Sequence, residues 1–241
     1  LVTVGGEFQS SSMKDGVVLA STGETFRQKS WSVFAEDEWH LTDALALTAG
    51  SRYEHHEHFG GHFRPRAYLV WDVADAWTLK GGVTTGYKAP RMGQLHKGIS
   101  GVSGQGKTNL LGNPDLKPEE SVSYEAGVYY DNPAGLNANV TSFMTDFSNK
   151  IVSYSINDNT NSYVNSGKAR LHGVEFAGTL PLWSEDVTLS LNYTWTRSEQ
   201  RDGDNKGAPL SYTPEHMVNA KLNWQITEEV ASWLGARYRG K

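Results

Sequence analysis

Basic residues concentrated in one part of the chain carry the clearest chemical signal. Residues 88–118, called here the basic stretch, have Asp115 as their single carboxylate and five cations: Lys88, Arg91, Lys97, Lys107 and Lys117. The stretch therefore carries a net charge of +4 in a chain whose net charge is -5. Cationic side chains attract and orient an anionic ligand such as a negatively charged chelate. The alternative is a solvated loop whose lysines only keep it soluble.

The two ends of the basic stretch indicate where its cations are held. Lys88-Ala89-Pro90 ends a strand, because proline has no N–H for ladder pairing and forces its neighbour out of the helical region. Asn113-Pro114-Asp115 is turn chemistry, and Pro118 marks the place where the chain can rejoin a sheet. Between them lie glycines 93, 98, 101, 104, 106 and 112. The sequence thus predicts a long, mobile loop between two strands, and such loops usually carry function.

Within that loop, Arg91 is the preferred ligand contact because it lies next to the anchored strand end. Lys88, Lys97 and Lys107 are the further candidate contacts. No catalytic residue and no resident metal or cofactor are predicted. The chain contains no nucleophile elbow, P-loop or HExxH motif, and Glu119-Glu120 lies at a strand start and is not a carboxylate pair placed for hydrolysis.

Segments of about ten residues with one apolar face recur along the whole chain, and about eleven can be counted. Short turns are predicted at residues 42–44, 74–76, 131–135, 183–186 and 227–229. Long connections are predicted at residues 10–27, 55–62, 88–118, 146–164 and 199–214. Strict alternation of short and long connections is typical of outer-membrane barrels, with short periplasmic turns and long extracellular loops. The pattern predicts an all-β, transmembrane, antiparallel β-barrel.

Aromatic and charged side chains fit the same barrel. Trp39, Trp77 and Trp183 lie at short turns, whereas Trp31, Tyr53, Tyr87 and Trp195 lie toward the long loops, which predicts two interfacial girdles. The alternative is that these aromatics fill a β core. Charged residues alternate onto the opposite, lumen side: Glu36, Glu38, Arg52, Glu54, Arg66, Lys80, Glu125, Glu175 and Arg237. Asp37 falls on the lipid side, where a carboxylate near the interface costs about 0–1 kcal/mol.

Several other classes of site or partner are disfavoured. The acidic balance argues against a nucleic-acid partner. The chain has no cysteine and no apolar run long enough for a transmembrane helix. Its first residues read as the middle of a strand, so we expect no signal peptide within it. His55, His56, His58 and His62 invite a metal site. Neighbours on a strand point to opposite faces, so we expect an exposed polar loop instead.

The motifs GYKAP and NPDLKPEES, which bound the basic stretch, resemble the barrel signature of TonB-dependent outer-membrane receptors. The resemblance extends over essentially all 241 residues and includes the later HGVEFAGTLPLW. It implies a barrel of twenty-two strands around an N-terminal plug. Residues 1–241 would then supply about eleven strands of that single domain, with the plug and the C-terminal strands absent. Eleven strands cannot close by themselves, since single-chain bacterial barrels use even numbers.

The resemblance also implies a function. The protein would be an outer-membrane receptor that takes up ferric catecholate siderophores, with energy delivered by TonB through the missing N-terminal region. The ferric siderophore would be cargo and not a cofactor, and colicin I would use the same loops for entry. Outer-membrane lipid is the remaining expected partner. A passive porin, a barrel-borne adhesin and a barrel enzyme stay open as alternatives.

Overall fold

The computed structural model describes residues 1–14, 23, 25–184, 186–203 and 206–240. Within these residues, fifteen strands and one short helix follow each other. They are β1 (Val2–Met13), β2 (Phe26–Thr42), β3 (Leu45–His56), β4 (Gly60–Ala74), β5 (Trp77–Lys88), α1 (Met92–Leu95), β6 (Ile99–Ser103), β7 (Thr108–Leu111), β8 (Glu119–Asp131), β9 (Asn137–Ser148), β10 (Ile151–Asn157), β11 (Thr160–Asn165), β12 (Ala169–Leu182), β13 (Val187–Gln200), β14 (His216–Gln225) and β15 (Ala231–Gly240). Among these residues, no helix is long and apolar enough to cross a membrane.

Eleven long strands form one antiparallel sheet in the order β1-β2-β3-β4-β5-β8-β9-β12-β13-β14-β15. Every neighbour in the sheet is also the next long strand along the chain, so the sheet is an uninterrupted meander. Within the described ranges β1 and β15 remain the two edges and the sheet does not close. This arrangement confirms the prediction of an antiparallel barrel wall, present in part.

The register gives the sheet one apolar and one polar side. Trp39 pairs with Leu47, Leu47 pairs with Leu69, and Val128 pairs with Val140, so apolar side chains meet across strands on the same face. This face is exposed, and it includes Val4, Phe8, Trp31, Val33, Trp39, Tyr53, Leu69, Trp71, Trp77, Val128, Val140, Trp224, Leu234 and Tyr238. The described apolar side chains that are buried, Pro90, Leu116 and Ala169, lie at or near the loops. The tryptophans therefore do not fill a dry core.

Connections of the long strands separate by length at the two ends of the sheet. The short ones cover residues 43–44, 75–76, 132–136, 183–186 and 226–230. The connections at the other end, which were predicted to be long, cover residues 14–25, 57–59, 89–118, 149–168 and 201–215. Most of the first of these, and part of the last, lie outside the described residues. The predicted alternation holds for four of the five long connections.

The connection predicted to be long at residues 55–62 is instead a three-residue turn, and that prediction was wrong. β3 runs on to His56 and β4 begins at Gly60, where the two residues pair. His55 stacks on the outward-facing Trp31 with 5.6 Å between ring centroids, whereas His56 is buried on the lumen side. Of the four histidines that suggested a solvated loop, His55, His56 and His62 lie in strands, and only His58 lies in the turn.

Pro65 opens the wall between β4 and β5. Their ladder ends at the pair Arg66 and Thr84, because Pro65, the residue before Arg66, has no N–H to donate. The Thr85 hydroxyl donates to the Pro65 carbonyl at 2.9 Å in place of a ladder bond. Beyond this point Tyr87 stacks on His62, with their ring centroids 4.0 Å apart. Tyr87 is thus part of the wall and not a lipid-exposed member of the girdle.

The basic stretch, predicted as a mobile loop, contains regular structure. It holds α1, β6 and β7, and β8 begins at Glu119, directly after the predicted return point Pro118. β6 and β7 join β10 and β11, which belong to residues 149–168, in a four-stranded sheet of order β10-β11-β7-β6. Residues 149–168 carry five asparagines and are called here the asparagine-rich loop. A small second sheet thus stands at the long-loop end of the barrel wall.

Candidate ligand-binding vestibule

A cavity of about 370 Å³ opens on the lumen side at the long-loop end of the wall. We call it the vestibule. Alternate residues of β1, β2 and β3, the end of β5 and the start of the basic stretch line it: Gln9, Ser11, Gln28, Ser30, Glu54, His56, Tyr87, Lys88, Ala89, Pro90, Arg91 and Met92. Because side chains on a strand alternate between faces, the register that sends apolar residues outward also brings these polar groups together.

Arg91 is held at the rim by the first turn of the basic stretch. Pro90 is fully buried and fixes the chain where it leaves β5. The Gln94 side-chain oxygen accepts the Arg91 backbone N–H at 2.9 Å, and the Arg91 carbonyl accepts the Gln94 N–H at 2.8 Å. The Arg91 side chain is exposed, and among the described residues no carboxylate lies within ion-pair distance of it. The vestibule therefore presents a fixed backbone with an available guanidinium.

The packing of His96 and Gly112 anchors the rest of the basic stretch. The His96 ring meets Phe26, at the start of β2, edge-on with centroids 4.5 Å apart. Gly112 is buried against the His96 backbone so closely that a Cβ atom would collide with it. The Gly98 carbonyl accepts the Gly112 N–H at 3.0 Å. This packing ties the chain after α1 to the barrel wall and supports the rim on which Arg91 sits.

Lys88 lines the same cavity, but its charge is compensated. Its ammonium donates to Glu119 at 2.6 Å, across the β5–β8 pair. The other oxygen of Glu119 accepts the Ile151 N–H at 2.9 Å. Glu119 is at the loop end of β8, before Val122, the first apolar side chain on the outer face of that strand. Burial raises the pKa of Glu119, but the hydrogen bonds from Lys88 and Ile151 and the charges of Lys88 and Lys150 outweigh burial and lower it overall.

His56 supplies a neutral polar group to the floor of the vestibule. Burial and the adjacent His58 lower the pKa of His56, so the ring is uncharged at neutral pH. Its Nδ1 atom accepts the His58 backbone N–H at 3.2 Å, which leaves the proton on Nε2. That nitrogen faces the Gln28 carboxamide. With the amide turned so that its oxygen points to the ring, the oxygen accepts a hydrogen bond from the Nε2–H group.

The structure does not bring Lys97 and Lys107 into the vestibule. Lys97 is exposed just after α1, and Lys107 is exposed in the turn that joins β6 to β7. Of the four candidate contacts, only Lys88 and Arg91 line the cavity. Sequence reasoning missed Glu119, His56 and Gln28. Alternation could have placed His56 and Gln28 on the lumen side, whereas the contact between Glu119 and Lys88 requires the strand register.

Below the vestibule the lumen side carries ion pairs across strands, between β3 and β4 and between β2 and β4. Arg64 donates to Glu54 at 2.7 Å, and Arg66 pairs with Glu36. Lys80 lies over the Tyr129 ring at 4.3 Å from its centroid. In the part of the chain that the structure describes, His, Asp and Glu side chains do not gather in threes at metal-binding distance. These contacts leave Arg91 as the vestibule cation without a described anionic partner.

An antiparallel wall with an exposed apolar outer side, charged inner side and loops at one end defines a barrel protein of the outer-membrane type. Residues 2–241 match the family described as "TonB dependent receptor-like, beta-barrel". The chain belongs to this family, and it is an outer-membrane protein.

Curated relatives agree with this assignment. The chain is 38% identical to an iron-regulated outer membrane virulence protein of Vibrio cholerae, over 100% of this chain and 38% of that protein. It is 31% identical to the ferrienterobactin receptor of Escherichia coli, over 94% of this chain and 32% of that protein. The chain thus spans less than two fifths of the length of these relatives. One of them is named as a receptor, and the other is named as an iron-regulated outer membrane protein.

A solved structure shows the same wall. It is a variant of the ferric enterobactin receptor of Pseudomonas aeruginosa in complex with enterobactin, similar to this chain with a TM-score of 0.81. The two are 29% identical over 99% of this chain and 39% of the receptor. The architecture derived above from register and exposure is therefore that of one segment of a siderophore-receptor barrel.

Proposed function

We propose that this chain is part of a TonB-dependent receptor that captures ferric catecholate siderophores at its extracellular vestibule and passes them through the outer membrane. The observation that carries the proposal is Arg91: an exposed guanidinium on a fixed backbone, at the lumen-side rim, without a described carboxylate partner. A guanidinium has five donors in a rigid fork and suits the oxygens of an anionic chelate.

The other vestibule groups fit such a ligand. Tyr87 offers a partly exposed ring, against which a catechol ring can pack. Gln28 and Ser30 add neutral polar groups that can hydrogen-bond ligand oxygens without adding charge. The cavity thus combines one available cation with flat and neutral polar surfaces, which is the chemistry that a large, charged, aromatic chelate requires.

Transport supplies the remaining roles in this proposal. The ferric siderophore is cargo, no resident cofactor takes part, and no covalent step acts on it. TonB would supply energy through a part of the receptor outside residues 1–241. We infer further that the protein resembles the colicin I receptor within its family, so colicin I would enter through the same loops. The outer face of the sheet would contact membrane lipid.

The test compares single replacements in the full-length receptor. Arg91→Gln should weaken binding of a synthetic ferric tris-catecholate about ten- to a hundredfold, since one charge-assisted contact contributes about 1.5–3 kcal/mol. Lys107→Gln removes the same charge outside the vestibule and should leave the affinity within about twofold of the wild type. Equilibrium quenching of tryptophan fluorescence measures both. Equal effects of the two replacements, or none from Arg91→Gln, would remove the vestibule from the binding site.

A further inference from the structure

The basic stretch and the asparagine-rich loop are joined strand to strand. β7 pairs in parallel with β11, through Asn109 with Thr160 and Leu110 with Asn161. In addition the Asn159 carbonyl accepts the Asn109 N–H at 2.8 Å. Parallel pairing between two loops that leave the barrel at different places cannot arise within either loop alone. The ladder is short, however, and needs further contacts to hold.

Asn165 supplies those contacts with its side chain. Its Oδ1 atom accepts the Lys117 backbone N–H at 2.8 Å, and its Nδ2 atom donates to the Lys117 carbonyl at 2.8 Å. The same Nδ2 donates to the Asn149 carbonyl at 2.7 Å. The carboxamide therefore imitates a peptide group of a neighbouring strand and satisfies both backbone groups of Lys117. On the other side of the join, Asn113 donates from its amide to the Tyr163 carbonyl at 2.9 Å.

The base of the asparagine-rich loop is attached to the barrel wall next to the vestibule. Glu119 accepts the Ile151 N–H with one carboxylate oxygen and the Lys88 ammonium with the other. A displacement of the asparagine-rich loop would therefore shift Glu119 and with it Lys88, and a displacement of the basic stretch would move Arg91. Contacts at both the top and the base of the two loops connect them to the vestibule.

From these contacts we infer that the basic stretch and the asparagine-rich loop move as one rigid body over the vestibule, with Asn165 as the positioning residue that couples them. The inference concerns the loops themselves and holds for any ligand. Its failure would leave the proposed transport function untouched, because that function depends on Arg91 and not on the coupling.

The experiment measures the distance between the loops in the full-length receptor in lipid nanodiscs. Residues 1–241 contain no cysteine, so spin labels at Lys107→Cys and Asp158→Cys report on the two exposed hairpin turns. In the otherwise unchanged protein, double electron–electron resonance should give one narrow distance. Asn165→Ala should broaden the distribution about twofold, because separated loops fluctuate independently on the nanosecond to microsecond scale.

Two further variants separate coupling from general damage. Asn165→Asp keeps the size and the acceptor oxygen but loses both Nδ2 bonds, so it should broaden the distances as Asn165→Ala does. Asn157→Ala removes an asparagine whose side-chain bond, to the Asn159 N–H at 3.0 Å, stays within its own loop, and it should leave the distribution narrow. A broad distribution in the unchanged protein, narrow ones in both Asn165 variants, or equal broadening by Asn157→Ala would each overturn the inference.

Discussion

Replacing Glu119 by glutamine should raise the affinity of the vestibule for an anionic chelate. Lys88 forms an ion pair with Glu119, so a ligand that binds Lys88 must first break that ion pair. Glutamine retains a side-chain oxygen that can accept the Ile151 N–H, and only the negative charge is lost. The asparagine-rich loop should therefore stay attached while Lys88 becomes available as a second vestibule cation.

The size of the effect follows from the exposure of the pair. Lys88 is 65% exposed and Glu119 14% exposed, so solvent screens the attraction on the lysine side. Pairs of this kind contribute about 0.2–1 kcal/mol, and the ligand no longer has to offset that amount in the variant. Since about 1.4 kcal/mol corresponds to a tenfold change in Kd, the affinity should rise by at most about fivefold. The gain should shrink at high salt, where the Debye length falls to about 3 Å at 1 M.

Glu120→Gln is the matched control for this prediction. It removes the same charge one residue further along β8, but Glu120 lies on the opposite face, 3.8 Å from His62 and away from Lys88. Fluorescence titration of both variants with a ferric tris-catecholate, at low and high salt, separates release of Lys88 from a general change of charge. An equal gain in both variants, or a loss of affinity in Glu119→Gln, would refute the reasoning.

Two further predictions concern the wall and the loop. In single-tryptophan variants, brominated lipid should quench Trp77, which faces outward, and should spare Trp233, which lies on the lumen side beside Lys221; equal quenching would contradict the register. Gly112→Ala should destabilise the basic stretch by about 1–3 kcal/mol, because the added Cβ meets the His96 backbone. Gly101→Ala meets only Leu110 at 3.6 Å and should be tolerated; limited proteolysis of the loop distinguishes the two variants.

The barrel wall could be predicted from the sequence because a strand in a membrane obeys a simple rule. One face contacts lipid and the other a polar lumen, so apolar residues recur with period two and the turns interrupt the pattern. Trp39 and Trp77 were placed beside short turns on this basis, and both lie exposed on the outer face. Return of the chain at Pro118 also followed from local chemistry, since proline restricts where a ladder can begin.

Contacts between distant segments could not be predicted in the same way. β7 and β11 are each short, and their pairing depends on how two loops stand relative to each other, which no periodicity encodes. Tyr87 was placed in a girdle because it alternates with outward residues, but Pro65 in the neighbouring strand opens the wall and lets the ring stack on His62. The partner of Lys88 likewise required the register of β5 against β8.

The same register sets both the lipid-facing surface and the charge of the vestibule. On β5, Val83 points to the lipid side and Lys88 to the lumen side, because Lys88 is five positions after Val83 and side chains change face at every residue. One residue inserted between them would turn Lys88 outward and away from Glu119, leaving a partly buried carboxylate without its cation. Such an insertion would therefore impair membrane compatibility and ligand capture together, whereas an insertion in the turn at residues 104–107 would leave the wall unchanged. The position of a residue in the alternation along its strand decides whether its side chain faces lipid or the vestibule, so that position matters for function as much as the residue type does.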